Sequence, residues 1–273
     1  QRVQRTLHVT VDRLVEWSKR SDFDTKYLEQ DFGRQGGWDP IRVPLGEDRY
    51  LRLIGQIDRI DEYTRDGQTY GMVIDYKSGG AHVTAQDVYY GLKLQLMTYL
   101  LALESAYGKT QGESIAPAAV VYSYVKNPKI PAEAPISYED AVSLAKESDA
   151  WRNSGYFSDD VELLTHIDNK FLSYGLKQGP YVPIATTKDQ TISRNDLRKV
   201  KNPGEFDVMC RYTNHVMADI GRHIGDGQFP IQPYQLNKNR PCTYCDYNTV
   251  CRFDSSRNRY NYLSKLSEAD ALE

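Results

Sequence analysis

The chain has 273 residues, of which 26% are charged and 40% hydrophobic, with a net charge of −3 at neutral pH. That length supports a real core, in one large domain or two modest ones, and at a mean hydropathy of −0.62 no apolar run approaches the ~20 residues of a membrane-spanning helix. The acidic balance argues against an autonomous tight binder of nucleic acid, because phosphate contacts reward basic surfaces, but it allows a catalytic module fed by a larger machine.

The N-terminus, QRVQRTLHVTVDRL, is charged and amphipathic and is not a secretory signal. It begins at Gln1 without an initiator Met, so we read the chain as a domain of something longer, acting in the cytoplasm without contact to a membrane. Leu7, Val11, Leu14, Val15 and Trp17 recur at helical spacing and predict a helix over 3–20. A short strand follows over Lys26–Phe32, then a glycine-bearing loop over Gly33–Pro40. Tyr50–Ile60 alternates partly and reads as one strand; Arg65-Asp66-Gly67-Gln68 carries the Asp-Gly signal of a hairpin; Thr69–Lys77 is the returning strand. Ala85–Tyr107 reads as one long helix with Leu92, Leu96, Tyr99, Leu100 and Leu103 on one side. An apolar strand over Ile115–Val125, a proline-containing loop over Asn127–Pro135 and a helix over 138–148 come next. Residues 150–200 have no readable period. Within them Lys188–Lys201 is basic and reads as a solvated loop and helix start. Glu205–Ile224 is an amphipathic helix, and the tail from Gln228 holds three of the four cysteines. The expected fold class is α/β, a mixed sheet flanked by helices. Its catalytic core should span about 20–126, followed by a mostly helical region over about 137–227 and a cysteine-bearing tail over 228–273.

The hairpin carries the chemistry. Asp58 lies on its first strand, Asp75 near the end of its second, and Lys77 two residues on, on the same face as Asp75. Mg²⁺ takes hard oxygen ligands and commonly one or two protein carboxylates. Asp58, Asp75 and the backbone carbonyl of Tyr76 offer such a set for Mg²⁺ or Mn²⁺. Lys77 adds a point charge for a phosphoryl transition state. The bland alternative is a pair of exposed strand ends beside an edge lysine. Against it, Asp75 follows the apolar run Met72-Val73-Ile74, where an unpartnered carboxylate is costly. Gln95 and Tyr99 stand one helical turn apart and can face this site together. No G-x-x-x-x-G-K-S/T occurs, so the chain is not itself an ATPase.

GQIDRID, IDYKSG and QLMTY together resemble the PD-(D/E)XK nucleases of the RecB type, and with the tail PCTYCDYNTVCRFD they resemble the C-terminal nuclease domain of the AddB/RexB family. The similarity runs over essentially the whole chain. It implies a restriction-endonuclease-like core and an Mg²⁺-dependent exonuclease acting on DNA in double-strand break repair by homologous recombination. It also implies partnership with an AddA/RexA-type helicase–nuclease subunit, metal ligation by Asp58 and Asp75, and catalytic parts for Lys77, Gln95 and Tyr99. A catalytically silent module of the same complex is the alternative, against which the intact Asp58, Asp75 and Lys77 stand. The family's upstream histidine, in a G-x-x-x-H pattern, has no match: His8 lacks the glycine, and the true histidine is expected before residue 1.

Cys242-x-x-Cys245-x5-Cys251 has spacing suited to Zn²⁺ or an iron–sulfur cluster. His215 and His223 lack ligand spacing to it, and Cys210 reads as a buried helix residue. The resemblance implies a four-iron, four-sulfur (4Fe–4S) cluster held by Cys242, Cys245, Cys251 and a fourth cysteine far upstream, so that this chain would carry an incomplete site.

Overall fold

Alternation across residues 55–77 builds the centre of the structure, a computed structural model that describes residues 2–110, 114–126 and 151–272 together with Pro135, Ser137 and Asp140. The expected loop over 127–135, apart from Pro135, and the expected helix over 138–148, apart from Asp140, lie outside the described residues. Strands β4 (Gly55–Arg65) and β5 (Gln68–Lys77) pair antiparallel from Arg59↔Ile74 to Arg65↔Gln68. Asp66 and Gly67 join them with φ of 53° and 79°, the two left-handed positions of a hairpin turn whose twist matches the strands.

Strand β1 (Asp24–Phe32) flanks β4 antiparallel, and β6 (Ile115–Tyr124) runs parallel to β5. Strand β7 (Ser154–Ser158) is antiparallel to β6, and β8 (Val200–Lys201) is parallel to β7. The sheet order is β1-β4-β5-β6-β7-β8. A parallel pair needs a crossover, and here it contains helices α2 (Ala85–Tyr89) and α3 (Gln95–Thr110). Helix α3 packs with α5 (Pro203–Gly225) on one sheet face, burying Ile60, Val73, Leu100, Leu103 and Phe206. Helices α1 (Arg2–Ser18) and α4 (Val161–Ile167) cover the other face, where Trp17, Met72, Ile74, Val121 and Leu163 are buried. Burial on both faces explains the nearly unbroken apolar runs in β5 and β6.

Three elements depart from the sequence expectation. The strand read over Tyr50–Ile60 is two: β3 (Arg49–Leu53) leaves the main sheet to pair with β2 (Ile41–Gly46), and β4 restarts at Gly55. A side chain at Gly55 would meet the Phe32 ring at 2.6 Å, so this glycine lets the buried ring cross the strand. The helix read over Ala85–Tyr107 is also two, because Gly91 takes φ +67° and stops the first segment; Leu92 lies in the break. Residues 150–201 also supply strands β7 and β8 to the main sheet. The tail is built of short pieces: a parallel pair, β9 (Tyr234–Leu236) with β10 (Asn261–Leu263), a 3₁₀ turn over Pro241–Tyr244, and α6 (Asn248–Cys251). Among the described residues no helix is long and apolar enough to cross a membrane.

Candidate active site

The register of the central hairpin, carried one step beyond Arg59↔Ile74, sets Asp58 opposite Asp75 with both side chains on one face. There the ladder stops. In place of a further strand-to-strand bond, the Tyr76 N–H donates to Asp58 Oδ2 at 2.7 Å, which fixes one carboxylate of the pair.

Asp75 is 2% exposed. Its Oδ2 lies 2.5 Å from the Lys77 ammonium in a tight ion pair and, among the described residues, has no other polar partner. Burial pushes the Asp75 carboxyl above the usual range, Lys77 pulls it back, and the charge of Asp58 raises it further. A buried carboxylate oxygen with an unused lone pair, opposed by a second carboxylate, is a donor set that suits a hard divalent cation.

Lys77 Nζ also donates to Gln95 Oε1 at 2.9 Å, and Gln95 Nε2 donates to Tyr99 Oη at 2.9 Å. The break at Gly91 is what makes Gln95 the first residue of α3 and aims that helix start at β5. Tyr99 packs edge-on against Phe32, with ring centroids 6.3 Å apart. Burial raises its hydroxyl above the ordinary value, and Asp75 and Asp58 add to this. The structure therefore brings Asp58, Asp75, Lys77, Gln95 and Tyr99 into one cluster.

Tyr122 belongs to it as well and was missed in the sequence. It pairs with Asp75 across the β5–β6 ladder, and Lys77 Nζ stands 5.4 Å from its ring centroid. Burial and the neighbouring carboxylate of Asp75 push its hydroxyl up to about 12. The signal was present: Tyr122 and Tyr124 alternate at the end of an otherwise aliphatic strand. Arg59, next to Asp58, points to the opposite face, where it makes a two-pronged pair with Asp61 at 2.6 and 2.7 Å. His8 is exposed on α1, whose Trp17 packs on the far side of the sheet.

The cysteines are elsewhere. Cys210 is buried in α5, where desolvation pushes its thiol well above the ordinary value. Cys242, Cys245 and Cys251 are free thiols in the tail. Among the described residues no three His, Cys, Asp or Glu side chains are gathered to hold a metal ion.

A family model described as the PD-(D/E)XK nuclease superfamily matches residues 1–252. The chain is 30% identical, over 96% of its length, to the B-type subunit of the ATP-dependent helicase/deoxyribonuclease of Ruminiclostridium cellulolyticum. It is 34% identical over 92% of its length to the same subunit of Listeria monocytogenes, and 29% identical over 100% to that of Clostridioides difficile. It spans 22%, 21% and 23% of those three relatives, so the comparison speaks for one region of a much longer protein. The match over most of the chain, and the cluster its motifs form at the end of β5, make this chain a member of the PD-(D/E)XK nuclease superfamily.

Proposed function

We propose that the chain is the nuclease module of the AddB/RexB-type subunit of a helicase–nuclease, hydrolysing DNA phosphodiester bonds with Mg²⁺ or Mn²⁺. The observation that carries this is the buried Asp75 carboxylate, which stands opposite Asp58 and is held at 2.5 Å by the Lys77 ammonium alone among the described residues. On this reading Asp58, Asp75 and the Tyr76 carbonyl hold the cation. Once bound, it supplies Lewis acidity toward a phosphate oxygen and water.

The chain's own residues do the positioning. The Tyr76 amide holds the Asp58 carboxylate in place. Lys77 presents its ammonium to the negative charge that grows on phosphorus-bound oxygens, the point where preorganised charge lowers a barrier most. Gln95 fixes that ammonium and Tyr99 fixes Gln95, so the charge need not be recruited from solvent during the reaction.

Beyond the site, the reading includes a restriction-endonuclease-like core, a partner helicase subunit, a cytoplasmic setting and exonucleolytic work in double-strand break repair by recombination. The relatives' shared name, as a subunit of an ATP-dependent helicase/deoxyribonuclease, supports the helicase partner and the action on DNA. For the tail we propose that Cys242, Cys245 and Cys251 ligate a 4Fe–4S cluster. Cys210 is sealed in α5, so the described residues do not make a complete cluster site, and the reading requires a fourth ligand that they do not supply.

The test is incubation of the chain with labelled single-stranded and duplex DNA in Mg²⁺ and in EDTA. Strand cleavage that appears with Mg²⁺ and stops with EDTA supports the proposal. Cleavage unaffected by EDTA counts against it.

A further inference from the structure

Between Lys77 and Gln95, which meet in the candidate active site, the chain runs through α2. It leaves β5 by Ser78, Gly79 and Gly80, all exposed. Among the described residues, a side chain built on either glycine would meet no atom beyond its chain neighbours within 4 Å, so packing does not fix this departure. From His82 onward the connection is one body. Thr84 and Asp87 cap α2 reciprocally, the Leu92 N–H donates to the Asp87 carbonyl at 2.8 Å, and Lys93 Nζ reaches back to the His82 carbonyl at 2.7 Å. Gln95 follows as the first residue of α3, so a displacement of this body is passed to Gln95.

A segment from far along the chain holds that body in place. Ser264–Leu272 belongs to no helix or strand and lies against α2 through three bonds. Tyr90 Oη donates to the Ser264 carbonyl at 2.9 Å, the Leu266 N–H donates to Gln86 Oε1 at 2.7 Å, and the Ala85 N–H donates to Glu268 Oε2 at 3.3 Å. The last satisfies one of the N–H groups that a helix start leaves free. Beyond Glu268, Leu272 packs on the core that also buries Val88 of α2.

The other oxygen of Glu268 is fixed to the sheet. Oε1 accepts from Tyr156 Oη at 2.7 Å and lies 3.3 Å from Lys201 Nζ. Lys201 is 2% exposed and donates otherwise to the Arg198 and Val200 carbonyls at 2.8 and 3.1 Å. Among the described residues, Glu268 is therefore the carboxylate that balances it. Separating such a pair leaves an uncompensated charge in the interior, which keeps Glu268 in place. One side chain thus anchors on β7 and β8 and turns its second oxygen to the start of α2.

We propose that Glu268 is a positioning residue for cleavage: the segment Ser264–Leu272, anchored through Glu268 on Tyr156 and Lys201, latches α2 and so holds Gln95 where it orients the Lys77 ammonium. This rests on the nuclease reading for the reaction that is served. Glu268 acts through Gln95 and not on the reacting groups, so its loss slows the chemical step and leaves DNA affinity alone.

The test uses the full chain with two variants. Glu268→Gln keeps an oxygen for Tyr156 and turns an amide toward the Ala85 N–H. Gln86→Ala/Tyr90→Phe removes two latch bonds and leaves the Glu268–Lys201 pair intact. Circular dichroism of both is expected to match the parent. Amide hydrogen exchange over residues 82–95 is expected to rise at least about 5-fold in each, a local opening, while β6 keeps its parental exchange. Single-turnover cleavage at saturating DNA and Mg²⁺ is expected to fall by about 3–10-fold, with DNA affinity in EDTA unchanged. In a Gln95→Ala background the same substitutions are expected to cost nothing further, because residues acting along one chain of contacts are not additive. Where the parent cleaves, parental exchange over residues 82–95, parental cleavage by both variants, or losses that add in full to that of Gln95→Ala overturn the inference alone. A parent chain that does not cleave removes the nuclease reading and this inference with it.

Discussion

Lys77 Nζ donates to Gln95 Oε1 at 2.9 Å, a bond that ties the end of β5 to the first residue of α3. It sets the direction of the ammonium that also stands 2.5 Å from Asp75. Replacing Gln95 by Ala leaves Lys77 charged but free to rotate. We expect cleavage by Gln95→Ala to fall less than by Lys77→Ala, for which loss of a charge-stabilising group costs about 10²–10³-fold. Single-turnover rates on one oligonucleotide check the order; equal loss in both variants would mean that Gln95 does more than hold Lys77.

Glu104 on α3 has a carboxyl raised to about 7, first by burial and then by Asp207 of α5. Its folded value lies above its unfolded one, so the fold binds the extra proton. Ionising Glu104 therefore costs stability, and this cost is absent below the unfolded value of about 4.3 and complete above the folded one. Glu104→Gln is expected to raise Tm at pH 8 by about 2–4 °C, the scale of 1 kcal/mol in a chain this size. The gain should vanish near pH 4. Calorimetry across that range checks it, and a gain equal at both pH values would contradict the assignment.

Arg20, just beyond the end of α1, meets the fully buried Asp168 with Nη2–Oδ2 at 2.6 Å and Nε–Oδ1 at 2.9 Å. Removing one partner strands the other charge in the core. Arg20→Ala is expected to lower unfolding free energy by about 3–5 kcal/mol, read from urea denaturation. A loss below about 1 kcal/mol would place this pair with exposed ones.

The tail exposes Tyr244, Val250 and Tyr247 by 91%, 79% and 72%, so little apolar packing holds it. Metal–thiolate bonds would supply what packing does not. Iron and sulfide analysis of the longer protein, purified without oxygen, is expected to find a 4Fe–4S cluster that is lost in Cys245→Ser. Stoichiometric zinc without iron would replace the cluster reading and leave the hairpin site untouched.

The central hairpin and its acidic residues were legible because their signals are local. Asp66-Gly67 names its own turn, and a period of two puts Asp75 and Lys77 on one face whatever surrounds them. Gln95 and Tyr99 were legible as a one-turn pair, but their start position was not. It depends on Gly91 stopping α2, and a glycine in a helical pattern signals a stop only weakly. The split at Ile54 was hidden because the reason for Gly55 is a ring far upstream, that of Phe32. Strands β7 and β8, of five and two residues, hold their places through pairing with distant strands and carry no period of their own. Tyr122 was passed over because its role comes from lying across the ladder from Asp75, a relation set by β5–β6 register rather than by spacing.

The most direct measurement compares the Mg²⁺-dependent cleavage of one DNA strand by the parent chain, Asp75→Ala and Lys77→Ala, with circular dichroism of each. The account predicts native spectra for all three and a loss of at least about 10²-fold in each variant. Near-parental cleavage by a folded Asp75→Ala chain would contradict it.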